Sequence, residues 1–264
     1  MSEIILDNYI IEKEIGSGSF GEVYIGKDNN NNSVAIKIEK KSEKKSRLYM
    51  EFRIYKKMHR FGFTDGLPKV FQYFETDDTN VMIMELLGDS LSNLHDKYNK
   101  TFNIATVLYL GCEIIKLIEK FHSTGFIHRD IKPNNFLIGH GLNRNKVYIM
   151  DLGLSKQYIV DNIHIPFRID RPLVGTARYT STNIHKGFEP ARRDDLISIG
   201  YMLIYFIKGQ LPWQGLRKKQ KGKNIGDREQ DDAIGDKKMC TSVDKLCEGL
   251  PICFKEYLIY FMNK

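Results

Sequence analysis

Two short stretches of the chain carry the side chains best suited to chemistry. Residues 128–135 read His-Arg-Asp-Ile-Lys-Pro-Asn-Asn, and residues 151–153 read Asp-Leu-Gly. Carboxylate and amide oxygens suit a hard metal ion, and a lysine beside them suits phosphate. The set therefore indicates metal-bound phosphates held next to a hydroxyl nucleophile. Its two carboxylates, its cation and its amide are Asp130, Asp151, Lys132 and Asn135.

A glycine-rich stretch near the start of the chain could hold such phosphates. Residues 16–23 read Gly-Ser-Gly-Ser-Phe-Gly-Glu-Val and follow an alternating stretch, residues 9–15, that predicts a strand. A GxGxxG pattern by itself is weak, because an ordinary glycine-rich turn also matches it. In dinucleotide-binding folds the last glycine opens a helix. Here the β-formers at 23–25 follow it, which predicts a strand-turn-strand hairpin able to lie over phosphates.

A lysine and a glutamate are predicted to pair further along. Residues 34–38, Val-Ala-Ile-Lys-Ile, read as a buried strand, in which Lys37 is costly without an anionic partner. Apolar residues at helical spacing between 44 and 60 predict a helix, and Glu51 lies at the edge of its apolar stripe. We therefore expect Lys37 to pair with Glu51, the alternatives being an edge lysine and a solvated glutamate. The stripe consists of Leu48, Phe52, Tyr55 and Met58.

The pattern of elements changes from strand to helix near Gly88. Residues 71–74 and 81–87 predict two further strands before it. Helices are predicted after it at 91–98, 106–123, 196–207 and 254–262, with a short hairpin formed by 136–138 and 147–150. We therefore place a lobe boundary near residue 88, with a strand-rich lobe (1–88) and a helical lobe (89–264) in a single domain, 1–264.

Composition bounds the class of protein and its partners. The 264 residues are 42% hydrophobic, and 40 Lys+Arg against 33 Asp+Glu give a formal charge of +7. This charge favours phosphate, acidic or phosphorylated protein segments, or nucleic acid bound non-specifically; a solvated basic surface explains it equally well. The chain lacks the interleaved aromatic and basic residues of a nucleic-acid-binding module, so no specific nucleic-acid partner is expected.

Cysteine usage and apolar runs indicate the compartment. The four cysteines show no CxxC spacing, so neither a zinc site nor a disulfide framework is expected. Three lie in apolar stretches and are predicted to be buried thiols in a reducing compartment. No secretory signal opens the chain, and its longest apolar run, 196–207, is too short to cross a bilayer. We expect a cytoplasmic and/or nuclear protein without a membrane partner; the lysines of 218–223 could serve nuclear import.

Taken together, these motifs resemble those of a protein kinase catalytic domain, and within it the casein kinase 1 family. Phrases specific to that family stand at residues 84–88, 126–130, 175–179, 192–195 and 211–215. The alanine-proline-glutamate motif of most kinases is absent, with Thr182-Asn183 in its place. The resemblance covers residues 9–258, and relative to the family the chain is short at its C-terminus. It implies an α+β, two-lobed kinase fold with a small antiparallel-sheet lobe carrying one long helix and a larger, mainly helical lobe.

The resemblance implies a monomeric serine/threonine protein kinase with ATP and Mg²⁺ as cofactors. Asp130 would accept or orient the substrate hydroxyl proton, Lys132 would steady the γ-phosphate, and Thr176 would bond near both. The pair of Lys37 and Glu51 would align the phosphates. The implied Mg²⁺ ligands are Asn135 and Asp151. The implied ATP-binding residues are Ile15, Gly16, Ser17, Gly18, Ser19, Phe20, Gly21, Val23, Ala35, Lys37, Met84 (the gatekeeper), Glu85, Leu86, Leu87, Leu137 and Met150.

The same resemblance implies protein substrates in which the target serine or threonine follows an acidic or already phosphorylated residue. Clusters of arginine and lysine suit phosphate recognition; taken singly, each is an ordinary surface cation. One implied anion pocket combines Arg178 and Gly215 with a lysine of 218–223, for which Lys221 and Lys223 are the candidates. A second, near the activation segment, combines Arg129, Lys156 and Arg171.

Two positions depart from the family pattern, and a third, Asp195, is expected to have a structural role. Leu152 stands where most kinases have phenylalanine and still fills an apolar slot, and Asn134 replaces a common acidic residue outside the metal set. Asp195 is expected to cap the helix that it opens and to hold the backbone of the catalytic loop. The alternative function is a nucleotide-binding pseudokinase with little turnover, although none of the catalytic residues expected of an active kinase is lost.

Overall fold

The computed structural model describes residues 4–6, 8–18, 21–42, 46–216 and 227–264. The chain divides into two compact units, one formed by Met1–Ser90 with Phe136–Gly153 and the other by Leu91–Asn135 with Leu154–Lys264. The first break, at Ser90, lies close to the predicted boundary at residue 88. The hairpin that begins at Phe136 belongs to the strand-rich unit, a grouping that the sequence pattern does not predict.

The first unit is built on a six-stranded sheet that consists of β1 (Ile4–Leu6), β2 (Tyr9–Gly18), β3 (Gly21–Lys27), β4 (Ser33–Lys40), β5 (Val70–Glu75) and β6 (Thr79–Glu85). The order of the strands is β1-β2-β3-β4-β6-β5, and every neighbouring pair is antiparallel. Alternate apolar residues of its central strands form one core, with Val34 and Ile36 beside Val81 and Ile83. Strand β4 is buried on both faces, and for this reason it reads as an unbroken apolar run.

One long helix, α1 (Arg47–Arg60), and a short hairpin complete this unit. Ser46 caps α1 by accepting a hydrogen bond from Tyr49 N at 3.0 Å. Its buried face contains Glu51 together with Leu48, Tyr55 and Met58, whereas Phe52 is only partly buried. The hairpin strands are β8 (Phe136–Ile138) and β9 (Val147–Ile149), and Gly88 N bonds to Ile138 O at 2.9 Å.

The second unit is mainly helical and surrounds helix α5 (Arg192–Lys208), which is buried on nearly every side. Helices α3 (Ile104–Ser123) and α8 (Ile252–Met262) pack against α5. Glycine allows the close approach of α8, because a Cβ on Gly200 would lie 2.5 Å from Leu258 Cδ2. The helices are α2 (Leu91–Lys97), α3 (Ile104–Ser123), α4 (Thr182–His185), α5 (Arg192–Lys208), α6 (Asp227–Met239), α7 (Val243–Leu246) and α8 (Ile252–Met262). The short strand pairs are β7 (Phe126–Ile127) with β10 (Lys156–Gln157), and β11 (Ile159–Val160) with β12 (Ile163–His164).

The structure of this unit differs from the sequence-based predictions in two respects. Helix α6 was not predicted, because its polar sequence lacks an apolar stripe of helical period. The expectation of three buried thiols is wrong: Cys112, Cys240 and Cys253 are exposed and only Cys247 is buried. An apolar stretch does not decide which side of a helix a residue faces. Within the described part of the chain, no helix has the length and apolar character that crossing a membrane requires.

Candidate active site

In the first unit, the predicted pairing of Lys37 with Glu51 is confirmed. Lys37 Nζ lies 2.7 Å from Glu51 Oε2 and 3.5 Å from Asp151 Oδ1. The second oxygen of Glu51 accepts the N–H of Leu152 at 3.3 Å. Burial opposes the positive charge of Lys37, but the attraction of the two carboxylates outweighs it and raises the pKa of Lys37. Strand β4 and helix α1 thus meet through a charged pair next to Asp151.

Asp151 is held in an unusual conformation with one oxygen unsatisfied. Its φ is 60°, a left-handed value that few non-glycine residues adopt, and its N–H donates to Tyr55 Oη at 3.2 Å. Its Oδ1 is buried and, apart from Lys37 at 3.5 Å, meets no polar partner among the described residues. Such strain concentrates at functional sites, and a buried carboxylate oxygen of this kind suits a hard cation.

The glycine-rich stretch forms the predicted hairpin and no helix. Strands β2 and β3 pair through Gly16 with Val23, Ser17 with Glu22 and Gly18 with Gly21. Gly21 has a φ of 116°, and a Cβ there would lie 2.1 Å from Ile38 O, so only glycine fits. The dinucleotide-binding alternative is excluded because a strand follows the last glycine. The predicted ATP-binding residues Ser19 and Phe20 lie outside the described residues.

The remaining predicted adenine-contacting residues all belong to the first unit. Met84 is 1% exposed and pairs with Ala35 across β4 and β6, whereas Ile15 is 48% exposed on β2. The N–H of Glu85 already donates to Lys69 O at 2.8 Å, which leaves only its carbonyl for a purine. The others on this unit are Val23, Leu86, Leu87, Leu137 and Met150. Their contact with ATP stays a prediction.

In the second unit, Asp130 is the centre of a closely bonded cluster. Thr176 donates to Asp130 Oδ1 from Oγ1 at 2.8 Å and from its N–H at 3.0 Å. Lys132 Nζ donates to Asp130 Oδ2 at 2.6 Å. The amide of Asn135 donates to Asp130 O at 2.8 Å and to Oδ2 at 3.3 Å. The four residues that the sequence predicted for phosphoryl transfer and metal binding in this unit are therefore in direct contact.

Asp195 holds the backbone that carries Asp130. Its carboxylate accepts the N–H of His128 at 2.8 Å and that of Arg129 at 2.9 Å, where Arg129 has a φ of 68°. His122 Nε2 lies 2.8 Å from Asp195 Oδ2. Burial by itself would raise the pKa of Asp195, but the hydrogen bond and charge of His122 and the N–H of His128 lower it. The expected hold on the catalytic loop is confirmed.

The expectation that Asp195 also caps its helix is wrong. Helix α5 begins earlier, at Arg192, and Asp194 Oδ2 accepts the N–H of Ala191 at 2.8 Å. Ser181 donates to the other oxygen of Asp194 at 2.6 Å. Asp194 is the third residue of the helix, a position from which a carboxylate can bond to the backbone at the helix N-terminus. Asp194 therefore caps the helix, and the adjacent Asp195 holds the catalytic loop.

The first predicted anion pocket is described in part. Arg178 is exposed, and its guanidinium lies 5.8 Å from the ring centre of Tyr179 and 5.9 Å from that of Tyr205. Trp213 Nε1 donates to Arg178 O at 2.7 Å, which brings the segment of Gly215 to that of Arg178. Lys221 and Lys223 lie outside the described residues. The pocket as a whole stays a prediction.

The second predicted anion pocket already contains a carboxylate that sequence reasoning missed. Glu189 is 6% exposed, and its oxygens lie 2.6 Å from Lys156 Nζ and 3.4 Å from Arg171 Nε. Burial lowers the pKa of Arg129, while the charges of Glu189 and Asp195 oppose that shift. The nearby Glu189 offsets part of the positive charge of the cluster.

Sequence reasoning also missed Lys238, on the unpredicted helix α6. This lysine is 3% exposed, and its Nζ donates to the carbonyls of Ala177 at 2.6 Å and Thr180 at 2.5 Å. It lies 5.2 Å from the ring centre of Trp213. No pattern could have identified it, because its partners are backbone oxygens and its segment reads as a polar surface stretch.

The arrangement can hold phosphates in one unit and a hydroxyl group in the other. Among the described residues, no group of three or more His, Cys, Asp or Glu side chains is placed to hold a metal ion by itself. The family model for the protein kinase domain matches residues 9–255. The chain belongs to the protein kinase family.

Proposed function

We propose that this kinase transfers the γ-phosphate of ATP to serine or threonine in protein substrates and is of the casein kinase 1 type. The observation that carries the proposal is the Asp130 carboxylate, which Lys132 and Thr176 bind at the same time. In the family that the sequence resembles, this pair of residues distinguishes serine/threonine kinases. An aliphatic hydroxyl is the acceptor that such a cluster would orient.

The bonding of Asp130 defines its role. Its oxygens accept four hydrogen bonds, from Thr176 N and Oγ1, from Lys132 Nζ and from Asn135 Nδ2. These bonds fix the orientation of the carboxylate, which suits phosphoryl transfer because positioning and charge neutralisation dominate that reaction. Asp130 orients the substrate hydroxyl. Lys132, which is 22% exposed at its side chain, can move from Asp130 to the transferred phosphoryl group and free Oδ2 for that hydroxyl.

The residues expected to bind Mg²⁺ fit a hard cation within their own units. Asp151 presents a buried oxygen without a hydrogen bond, and Asn135 uses its amide nitrogen on Asp130, which leaves its carbonyl oxygen for a ligand. Both ligands are oxygens, as Mg²⁺ prefers. Bound Mg²⁺ would neutralise charge on the phosphates. Lys37, aligned by Glu51, supplies a fixed positive charge beside Asp151.

The substrate preference that we propose is for serine or threonine near acidic or phosphorylated residues. Arg178 is exposed and its backbone is anchored by Trp213, so its guanidinium can meet an anion without moving the chain. The three cations of the cluster, Arg129, Lys156 and Arg171, meet the carboxylates of Glu189 and Asp195 and retain an excess of positive charge. Arginine favours phosphate because its guanidinium binds two oxygens at once.

The first experiment measures transfer of labelled γ-phosphate from ATP to serine, threonine and tyrosine peptides. The wild type should label serine and threonine, while Asp130→Asn should lose transfer and still bind nucleotide. Asp161→Asn is the matched control, since Asp161 is exposed in a turn where its φ of 51° also suits asparagine. Equal turnover of Asp130→Asn and wild type, or labelling of tyrosine alone, would refute the assignment. Nucleotide binding without any turnover by the wild type would favour the pseudokinase.

A second experiment tests the substrate preference. A peptide with a phosphoserine upstream of the target is compared with its unphosphorylated twin, in the wild type and in Arg178→Gln. The wild type should prefer the phosphorylated peptide, and Arg178→Gln should reduce that preference. Arg228→Gln, at an exposed arginine of helix α6, is the control. Equal rates on both peptides in the wild type would contradict the proposed pockets.

A further inference from the structure

Three backbone carbonyls within residues 177–180 accept hydrogen bonds from side chains of distant elements. Lys238 Nζ donates to the carbonyl of Ala177 at 2.6 Å and to that of Thr180 at 2.5 Å. Trp213 Nε1 donates to the intervening carbonyl of Arg178 at 2.7 Å. We call Lys238 and Trp213 the carbonyl clamp. Its two members also touch each other, since Lys238 Nζ lies 5.2 Å from the ring centre of Trp213.

Burying the lysine of the clamp costs free energy, which indicates a role beyond packing. Lys238 is 3% exposed and Trp213 is 2% exposed. A buried ammonium group loses its hydration, and an apolar side chain would fill the same space without that loss. Lys238 also lies 5.3 Å from the ring centre of Tyr201, so two aromatic faces and two carbonyls replace the lost water. Unlike an apolar residue, the lysine fixes the positions of those carbonyls.

The clamped loop carries two residues of the proposed reaction. Thr176, directly before Ala177, donates twice to Asp130 Oδ1. Arg178 projects its exposed side chain from between the two carbonyls that Lys238 binds. A displacement of this loop would therefore move both the hydroxyl that positions Asp130 and the guanidinium expected to meet an anionic substrate. Misplacement by about 1 Å is enough to slow a reaction by about 100-fold.

We propose that Lys238 and Trp213 are positioning residues for the protein substrate, acting through the backbone of residues 176–180. This inference rests on the proposed function, and it assigns to the carbonyl clamp the role of fixing the loop expected to bind the substrate. His185 completes the surroundings of Lys238, with Nε2 3.3 Å from Nζ and 3.2 Å from Thr180 Oγ1. Burial and the nearby Lys238 lower the pKa of His185 to about 4, so this imidazole is uncharged near neutral pH.

The test compares steady-state kinetics of Lys238→Met with the wild type, using ATP and a phosphorylated serine peptide. Methionine keeps the length and apolar stem of the side chain and removes its hydrogen-bond donors. We expect kcat/KM for the peptide to fall about tenfold or more, mainly through a higher KM for the peptide, while the KM for ATP changes less than about twofold. Lys237→Met, at the exposed neighbouring lysine of helix α6, should match the wild type.

The second variant, Trp213→Phe, keeps an aromatic ring beside Lys238, removes the donor to Arg178 O and reduces the volume of a buried side chain. We expect the same kind of change, about threefold in the KM for the peptide. A purely structural role would instead lower the folded fraction and kcat and leave both KM values unaltered, which would overturn the proposal. Wild-type values in Lys238→Met would overturn it as well. If Lys238→Met does not fold, Trp213→Phe decides, and wild-type kinetics there would refute the clamp.

The result also separates this inference from the proposed function. A wild-type protein that phosphorylates serine or threonine peptides, together with unaffected clamp variants, overturns only the clamp. A wild-type protein that transfers no phosphate to any peptide overturns the proposed function, and with it the clamp.

Discussion

Among the described residues, two lysines are buried, Lys37 in the first unit and Lys238 in the second, and they are stabilised in opposite ways. Lys37 lies against the carboxylates of Glu51 and Asp151, whose attraction exceeds the effect of burial and raises its pKa. Lys238 lies against backbone carbonyls and aromatic rings. Burial lowers its pKa well below the usual value, and the charge of Asp231 opposes this only in part.

The difference shows that a buried lysine can have two different roles. At Lys37 the positive charge itself has the role, because the two paired carboxylates keep the lysine protonated beside the residues expected to bind phosphate. At Lys238 the hydrogen bonds have the role, because they bind two backbone carbonyls and so fix the path of a loop. The contacts of Lys37 therefore stabilise a charged side chain, whereas those of Lys238 stabilise a loop conformation.

The largest effect is expected for Lys37→Met. Removing the cation leaves Glu51 and Asp151 buried near each other without their partner, so unfolding free energy should fall by about 3 kcal/mol. Phosphate transfer should fall by about 100-fold or more, because a fixed charge at the phosphates is lost. Urea unfolding and the peptide assay measure the two quantities. Wild-type transfer by Lys37→Met would show that this lysine is only structural.

The pH dependence of stability should distinguish the two lysines by sign. Since folding raises the pKa of Lys37, its stabilisation is present below 10.5 and is lost as the pH rises through the higher folded value. Since folding lowers the pKa of Lys238, the unfolded chain binds more protons between that lowered value and 10.5. The Lys238 contribution to stability should therefore increase with pH over that range, by at most about 1.4 kcal/mol per pH unit.

The measurement is the difference in unfolding free energy between wild type and each methionine variant, followed from neutral to alkaline pH. The difference for Lys238→Met should grow with pH up to 10.5, whereas that for Lys37→Met should stay level and then decline above it. Parallel curves would contradict the opposite stabilisation of the two lysines. Lys237→Met should show neither slope, since Lys237 is exposed.

Glu189→Gln tests an intermediate case, a buried carboxylate whose cations are partly exposed. The side chains of Lys156 and Arg171 are 28% and 41% exposed, so solvent screens the charges more than at Lys37. We expect a loss of about 1–2 kcal/mol in unfolding free energy. Sulfate should then stabilise the variant more than the wild type, because an anion can replace the missing charge. Thermal unfolding with and without sulfate measures this, and an equal response in both proteins would contradict it.

The smallest effect is expected for Lys27→Met. Lys27 pairs with Glu12 at 2.9 Å, but both side chains are more than a third exposed. Exposed ion pairs contribute at most about 1 kcal/mol, so stability and transfer should both remain close to wild type. This variant also serves as the control for Lys37→Met in the same unit. A loss comparable to that of Lys37→Met would show that burial is not what separates these lysines.

Much of the molecule could be predicted from residue types and spacing. Strong β-formers around Gly16 and Gly21 indicated a hairpin, and the apolar stripe containing Glu51 indicated a helix beside it. The pairing of Lys37 with Glu51 was predictable because a charge in a buried strand requires an opposite charge nearby. Helix α6 was not predictable, because its contribution to packing comes from single residues such as Lys238 and not from a repeating apolar face.

By itself, the sequence determined the classes of side chain available for phosphate and hydroxyl chemistry and the order in which the chain presents them. Only the tertiary structure decided which groups meet. Thr176 reaches Asp130 across 46 residues, Glu189 lies against Lys156, and adjacent aspartates at 194 and 195 serve different partners. The carbonyls bound by Lys238 show the physical reason. Every residue has such an oxygen, and only the path of the folded loop determines which of them need a side chain to bind them.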